Sequence, residues 1–422
     1  MGSRELASER SSKYAVVVDP MSTGRDYPAV FAASGVEVVA VLTEPPERMA
    51  KPFAPSWSPE LFQHVLVHDG DLPVLAAKLK AFDPVCVIAG SEIGVELADA
   101  LVEMVLPGTG NVPSLAPARR DKWAMAQAMR AAGVPHIRQF CSANPAEIAA
   151  WLDAEGLASA KLVVKPPKSG GTDDVHLVLP GEDWRPWFDR ILGKINIDGI
   201  RNDAVMVMEF ASGPEYLVDS YSVDGEHGLV DVCRYTKVQR GDRIGIYDLV
   251  DFAAPDDPDV QEVWAYAQRV LDAVGIRNGC GHTEVIVTAD GPVLVEIGAR
   301  PAGGGHQMIT ELATGTNQLI RTVEHRVHGR FTPVTPLRQY VCSVVLMSPK
   351  PGRWLNPSLF DSVDDLATFH MKHFYYGEGD EVPEATSLDS MVGWVVLTSD
   401  DHKTMMADYR RVKALEPRMD IA

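Results

Sequence analysis

Short apolar runs alternate with amphipathic stretches along the first part of the chain. KYAVVVDP reads as a buried strand, STGRDYPAVFAASG as a loop and helix that end at Gly35, and VEVVAVLT as the next strand. LAAKLKAFDP, VCVIAG and SEIGVELADALVEMV then repeat the alternation as helix, strand and helix. This order predicts a parallel sheet flanked by helices, and therefore an α/β domain over residues 1–113.

The pattern changes after the turn-rich segment LPGTGNVPSLAP. ARRDKWAMAQAMRAAG predicts a helix closed by Gly133, and KLVVKPPKSGGTDDVHLVL predicts a hairpin with a glycine-rich tip. Further strands are predicted at AVMVMEF, GLVDVCRYTKV, GHTEVIVT and PVLVEIGAR, with a helix over 261–275 among them. From residue 335 onward the pattern restarts as a small α+β unit. We therefore expect a second domain over 114–334 and a third over 335–422.

Composition and charge limit the classes of partner. The chain has 46% hydrophobic and 23% charged residues, as in ordinary globular proteins. Its net charge of −19 disfavours a diffuse attraction to nucleic acid or anionic lipid, so we expect neither as a partner. The five cysteines form no CxxC pair, which indicates reduced, structural thiols. The polar start MGSRELASERSS lacks the apolar core of a secretion signal, and we expect a cytoplasmic protein without a membrane span.

Lys165 is the first candidate for chemistry. It stands in VVKPPKSGGTDD, where a predicted strand is followed by a loop rich in Ser and Gly. A triphosphate needs a fixed positive charge and backbone N–H groups that can approach its oxygens without a Cβ in the way. A glycine-rich hairpin tip is more often only a turn, so this segment alone does not establish a nucleotide site. The chain has no GxxxxGK[ST] motif, which excludes a P-loop.

A pair of glutamates gives a stronger signal. GHTEVIVTADGPVLVEIGARPAGGGH places Glu284 and Glu296 on consecutive strands joined by a turn around Asp290 and Gly291. A loop with an odd number of residues, such as 289–291, would bring the two carboxylates to one side of the hairpin. Mg²⁺ bound to phosphate oxygens is held by such carboxylates. Arg300 follows closely and can neutralise charge on a transferred phosphoryl group. Either glutamate alone would read as a solvated position on an edge hairpin.

The segment AVMVMEFASGPEYLVDSYS offers a third candidate site. A strand that ends at Glu209 and Phe210 can present backbone groups to an adenine edge, while the carboxylate of Glu215 can accept the ribose hydroxyls. An exposed glutamate on a turn explains the same residues equally well.

Read in order, these segments resemble the ATP-grasp superfamily from about residue 13 to residue 330. Within it, VVDPMSTG, RYTKVQRGDRIGIYD, GHTEVIVTADGPVLVEIGARPAGGG and GEGDEVPEATSLDSMVGWVVLTSDD look like bacterial L-amino-acid ligases of the bacilysin and rhizocticin type. The resemblance implies an ATP-grasp fold with an N-terminal Rossmann-like parallel-sheet domain, a mobile lid over about 136–205, a central antiparallel sheet and a small C-terminal α+β domain. It also implies a ligase that uses Mg·ATP, or Mn·ATP, to join two amino acids through an acyl phosphate.

Residue roles follow from the same resemblance. ATP binding would fall to Lys122, Lys165, Ser169, Gly170, Gly171, Thr172, Glu209, Phe210, Ala211 and Glu215. Metal binding would fall to Glu284 and Glu296, and catalysis to Arg300 and Lys165. The amino-acid substrates would meet Tyr247, Asp248, His282, Arg300, Gly303, Gly304 and Gly305. We expect small-molecule substrates and a homodimer.

One position departs from the superfamily pattern. Asn is common two residues after the second metal glutamate, but this chain has Gly298 there. Metal binding would then depend on the two glutamates, phosphate and water. Two other functions stay open: an ATP-grasp carboxylase or other acyl-phosphate ligase with a non-amino-acid substrate, and a regulatory protein that binds nucleotide without turnover.

Overall fold

The computed structural model describes residues 13–51, 53–240, 243–385 and 390–422, with only the backbone described at 239, 240 and 243–245. The polar N-terminal segment, on which the expected absence of a signal rests, lies outside the described residues. Part of the C-terminal segment that carries the family resemblance, 386–389, does so too. In the described part of the chain, no helix combines the length and the apolar character that a membrane crossing requires.

The N-terminal part folds as predicted into a parallel sheet with helices on both faces. Its strands pair in the order β3-β2-β1-β4. One face packs Val16, Val18, Val39 and Val41 against α2 and α3, and the other packs against α1. The elements are β1 (Lys13–Val18), α1 (Tyr27–Ala32), β2 (Val36–Leu42), β3 (His64–Val67), α2 (Leu72–Lys80), β4 (Pro84–Ala89) and α3 (Val95–Val105).

A helix and a small antiparallel sheet follow. The sheet has the order β5-β8-β6-β7 and packs its apolar face against Ile148 and Leu152 of one helix and Phe188 and Ile191 of another. It extends to residue 209, a few residues beyond the lid boundary that we expected. The elements are α4 (Lys122–Ala131), β5 (Gln139–Ser142), α5 (Pro145–Ala154), β6 (Leu162–Lys165), β7 (His176–Val178), α6 (Arg185–Ile191) and β8 (Val205–Glu209).

The central sheet carries the rest of the chain. Its first five strands and helices are β9 (Glu215–Val223), β10 (Glu226–Arg240), β11 (Arg243–Phe252), α7 (Pro258–Ala273), β12 (Gly279–Thr288), β13 (Gly291–Gly298), α8 (His306–Thr314) and α9 (Gln318–His328). The C-terminal elements are β14 (Tyr340–Leu346), β15 (Gly352–Arg353), β16 (Phe369–Phe374), β17 (Glu381–Val382), β18 (Gly393–Ser399) and α10 (His402–Lys413).

The C-terminal α+β unit shares this central sheet. β14 pairs with β11, and β18 and β16 extend the sheet to the order β13-β12-β9-β10-β11-β14-β18-β16. Leu249 of β11 belongs to the same apolar cluster as Cys342 and Trp354 of the C-terminal unit. The expected boundary at residue 335 is therefore not a break in the sheet.

Candidate functional site

The two glutamates predicted to bind metal face each other on one hairpin. Glu284 of β12 pairs directly with Glu296 of β13, so both side chains lie on the same face of the sheet. The turn is not the odd-numbered loop that we expected, because Thr288 pairs with Gly291 across a two-residue loop. A bulge at Val295 then shifts the register by one residue and restores the facing pair.

Two lysines flank this hairpin. Lys122 is the first residue of α4, and its Nζ lies 2.9 Å from Oε2 of Glu296 and donates a 2.6 Å hydrogen bond to the carbonyl of Ser169. Lys165 ends β6 and is 6% exposed. Burial, with the charge of Lys122, lowers the pKa of Lys165 to about 8, although the nearby glutamates oppose this shift. Burial raises the pKa of Glu296, but Lys122 and Lys165 outweigh it and lower that pKa to about 2.

The glycine-rich loop adjoins both lysines. Gly171 and Thr172 have φ values of 61° and 65°, so the tip follows a left-handed backbone. A Cβ added at Gly170 would meet no atom within 4 Å, which leaves the backbone of the tip accessible. Ser169 donates its hydroxyl to Asp173 at 2.8 Å and closes the base of the loop. The loop is thus placed where its N–H groups could reach a phosphate beside the lysines.

A third lysine, Lys237 on β10, was missed from the sequence. Its Nζ lies 2.5 Å from Oε1 of Glu215 and 3.9 Å from Oε2 of Glu284, above the ring of Tyr247 at 4.4 Å. Burial lowers the pKa of Lys237, but Tyr247, Glu284 and Glu215 outweigh burial and raise the pKa overall. Lys237 is therefore charged at neutral pH. The motif RYTKVQ held the signal, since alternation places Tyr235 and Lys237 on one face of a strand.

The predicted adenine segment is only partly turned toward the site. The carboxylate of Glu209 forms two hydrogen bonds with Arg138, at 2.8 and 2.9 Å, and points away from the lysines. The N–H groups of Glu209 and Phe210 bind the carbonyls of Arg138 and Lys161. The Lys161 Nζ lies 3.7 Å from the centre of the Phe210 ring. Within the described residues the N–H of Ala211 forms no hydrogen bond, which leaves it available to an adenine edge.

Arg300 is fixed by a residue from the N-terminal sheet. Its Nε donates a 2.8 Å hydrogen bond to Oε2 of Glu92, which follows β4. Burial lowers the pKa of Arg300, but Glu92 and Glu296 outweigh burial and raise it. A Cβ at Gly298 would come within 2.9 Å of Oε2 of Glu92 and 3.2 Å of Nε of Arg300. The Glu92–Arg300 pair therefore takes the space that a side chain at residue 298 would need, which gives the departure from the superfamily pattern a structural reason.

The predicted glycine run lies at the start of α8. Gly304 and Gly305 have φ values of 64° and 78°, and a Cβ at either would meet no atom within 4 Å. A Cβ at Gly303 would come within 3.3 Å of Oγ of Ser22. Next to this run, the hydroxyl of Thr23 donates to the carbonyl of Ala302 at 2.6 Å. The first loop of the N-terminal sheet thus borders the open backbone of the glycine run.

Of the three remaining predicted substrate residues, two lie at the site and one does not. Tyr247 lies under Lys237, and His282 lies on the face of Glu284, with Nδ1 at 2.8 Å from Oδ1 of Asp219. Asp248 does not join them, so its prediction as a substrate residue needs correction. Asp248 is the extra residue of a bulge in β11, between Tyr247 paired with Lys237 and Leu249 paired with Thr236, and it binds Lys413 at 2.7 Å and the hydroxyl of Tyr409.

The pKa of Lys165 predicts a pH dependence of nucleotide binding. Lys165 is charged below pH about 8 and neutral above it, so we expect the affinity for ATP to fall about 10- to 100-fold as the pH rises through this value. Lys165→Arg keeps its charge and should move the loss to higher pH. Calorimetric titration with Mg·ATP across this pH range measures the effect. An identical pH dependence in the wild-type protein and the arginine variant would contradict the assignment.

Comparisons with known proteins identify the family of this chain. An ATP-grasp domain profile matches residues 158–310, which hold Lys165, the glycine loop, the facing pair Glu284 and Glu296, and Arg300. Dapdiamide A synthase of Enterobacter agglomerans is 31% identical over 361 residues, which cover 83% of this chain and 84% of that protein.

Two solved structures share the fold over nearly the whole chain. The L-amino acid ligase from Bacillus licheniformis superposes with a TM-score of 0.69 at 16% identity and covers 98% of this chain and 99% of its own. An N5-carboxyaminoimidazole ribonucleotide synthetase in complex with ADP gives a TM-score of 0.68 at 15% identity, with 96% and 97% covered. This chain therefore belongs to the ATP-grasp family, is related over most of its length to dapdiamide A synthase, and is an ATP-dependent ligase.

Proposed function

We propose that this protein joins the carboxylate of one amino acid to the amine of another, with hydrolysis of ATP to ADP and phosphate. The observation that carries the proposal is the convergence of Glu284, Glu296, Lys122 and Lys165 beside Arg300. Opposed carboxylates among fixed cations are the arrangement that phosphoryl transfer needs. The relationship to dapdiamide A synthase favours an amide product.

The reaction has two displacements. The carboxylate oxygen of the first substrate attacks the γ-phosphorus of ATP, the bond to the β–γ bridging oxygen breaks, and ADP leaves with that electron pair. The amine of the second substrate then attacks the acyl carbon, the bond from that carbon to the phosphate oxygen breaks, and the amine loses a proton. The protein's part is orientation and electrostatic stabilisation, in which Lys122 and Lys165 bind the phosphates and Arg300 stabilises the acyl phosphate.

The hairpin suits a magnesium ion, or manganese in its place. Its donors are carboxylate oxygens only, on one face of a sheet, and the ligands of hard divalent cations are of this kind. Glu284 and Glu296 would hold the metal, together with phosphate and water, since residue 298 offers no side chain. When bound, Mg²⁺ neutralises the charge on the phosphate oxygens. In this structure Lys122 lies 2.9 Å from Glu296 and Lys237 lies 3.9 Å from Glu284.

Exclusion of water would depend on the lid. Arg120, whose side chain is 2% exposed, bridges Asp198 at 2.6 Å and Glu92 at 3.5 Å. Asp198 belongs to the lid segment, and Glu92 also holds Arg300. This network connects lid position with the orientation of Arg300. Closure would protect the mixed anhydride from hydrolysis.

A substrate screen tests the proposed function. ADP release is followed with Mg·ATP and pairs of L-amino acids, and the products are identified by mass spectrometry. With hydroxylamine in place of the second amino acid, a hydroxamate of the first should form. We expect ADP release only when an activatable carboxylate is present, and a dipeptide when both substrates are.

Two outcomes would overturn it. ADP formation with bicarbonate and no amino-acid pair would favour a carboxylase. Nucleotide binding without turnover across the screen would favour a regulatory protein. The expected cytoplasmic location and the expected homodimer do not depend on the outcome of this screen. Native mass spectrometry measures the oligomeric state.

A further inference from the structure

A buried acidic cluster lies beside the proposed metal hairpin. Asp219 of β9 and Asp231 of β10 are paired in register and are 0% and 5% exposed. Asp219 also pairs with His282 of β12, two residues before Glu284. Since alternate residues of a strand share a face, Asp219, Asp231 and Glu284 all lie on the site face of the central sheet.

One oxygen of this cluster has no hydrogen-bond partner in the described part of the chain. Nε2 of His306 lies 3.1 Å from Oδ1 of Asp231, and the hydroxyl of Thr310 donates to Oδ2 of Asp231 at 3.1 Å. His282 holds Oδ1 of Asp219 at 2.8 Å. Oδ2 of Asp219 is buried and forms no hydrogen bond within the described residues, because His306 is 3.7 Å away. A buried carboxylate oxygen without a donor is costly, so this atom is suited to receive a donor from a ligand.

The open acceptor of the cluster indicates the kind of ligand. Two histidines border the carboxylates: His282 holds Asp219, and Nε2 of His306 lies 3.1 Å from Asp231 and 3.7 Å from Asp219. Burial lowers the pKa of His306, but Asp231 and Asp219 outweigh burial and raise it. Oδ2 of Asp219 is still without a donor among the described residues, and a buried carboxylate oxygen of this kind is suited to a cation with N–H donors.

We propose that Asp219, supported by Asp231, His282 and His306, binds the α-ammonium group of the amino acid whose carboxylate is phosphorylated. Residues two apart on a strand are about 7 Å apart, so Asp219 lies one such spacing from the level of Glu284. In an α-amino acid a single carbon separates ammonium and carboxylate. A donor whose carboxylate is activated beside the hairpin therefore holds its ammonium toward Asp219. This role rests on the proposed function and adds a requirement on the substrate.

The choice of the first amino acid follows from the chemistry of the amine. The second amino acid must lose its proton to attack, and a buried carboxylate opposes that loss. The same carboxylate keeps the donor's own amine protonated and therefore prevents it from acting as a nucleophile. The glycine run lies directly before His306, and a Cβ at Gly304 or Gly305 would meet no atom within 4 Å.

The test measures hydroxamate formation with hydroxylamine, so that only activation of the first substrate is followed. In the wild-type protein we expect an α-amino acid to be used at least about 30-fold better, by kcat/KM, than its des-amino and N-acetyl analogues. Asp219→Asn should lower kcat/KM for the amino acid by a similar factor and leave the des-amino acid and ADP binding unchanged. Asp408→Asn is the matched control, since Asp408 is 3% exposed and binds Thr368 in the C-terminal unit.

The outcomes separate this role from the proposed function. No hydroxamate from any carboxylate in the wild-type protein would refute the ligase proposal itself. Hydroxamate formation without preference for a free ammonium would refute the ammonium site alone, with no variant needed. Asp231, Cys233 and His306 also lie close enough to hold a metal ion. Stoichiometric metal that is lost with activity in Cys233→Ser would overturn the ammonium role, and unchanged kinetics in Cys233→Ser would support it.

Discussion

Glu296→Gln should lower kcat for ligation by about 10²- to 10³-fold, the scale on which removal of one preorganised charge acts on a transition state. Glutamine keeps the shape of the side chain but removes a negative charge that Lys122 holds at 2.9 Å. The variant would lose a proposed metal ligand and also release the lysine that should meet the phosphates. Coupled ADP-release kinetics and calorimetric binding of Mg·ADP measure the two effects.

Glu381→Gln gives the matched control. Glu381 lies on β17 with its side chain 71% exposed and 3.7 Å from Arg353, so removal of its charge should leave kinetics unchanged. Wild-type turnover in Glu296→Gln would remove the basis of the proposed function. The hairpin would then be a structural ion pair with Lys122.

Trp354→Ala should lower the free energy of unfolding by about 3–5 kcal/mol. Trp354 is 0% exposed, and its ring centroid lies 6.0 Å from that of Phe360 and 5.6 Å from that of Phe374. It shares its cluster with Leu249 of the central strand β11. Because one sheet joins the C-terminal unit to the strands of the nucleotide site, we expect loss of ADP binding and unfolding of the C-terminal unit at the same urea concentration.

Leu355→Ala serves as the control, since Leu355 is 41% exposed and should change stability little. Separate transitions would contradict the coupling. If the C-terminal unit of Trp354→Ala unfolded while ADP binding persisted, residues 335–422 would form an independent domain as the sequence first indicated.

The spacing of apolar residues was sufficient to predict helices and strands that form from contacts between nearby residues. The β-α-β start follows from apolar strands and an amphipathic helix between them, and Asp121 caps α4 by accepting from the N–H groups of Trp123 and Ala124. The order of the chemical motifs also indicated the cation and carboxylate sets of the site. That these residues converge in space does not follow from periodicity. It was expected only because the order of the motifs resembles that of the ATP-grasp superfamily.

Contacts between distant segments were not predictable in this way. Lys237 reads as an ordinary strand residue until Glu215 and Glu284 are placed opposite it. Asp248 and Tyr247 are adjacent in sequence, and only the contacts of Asp248 with Lys413 and Tyr409 show that it faces the C-terminal helix. The C-terminal strands read as a separate unit because an apolar pattern does not say which sheet a strand will join.

The bulge at Val295 bears on how related chains should be compared. The spacing between the two glutamates can be met by a two-residue turn with one extra strand residue or by a longer turn with regular pairing. A single-position gap in an alignment of this hairpin would therefore be consistent with loss of the bulge at the same two-residue turn, with both acidic side chains still on one face of the hairpin.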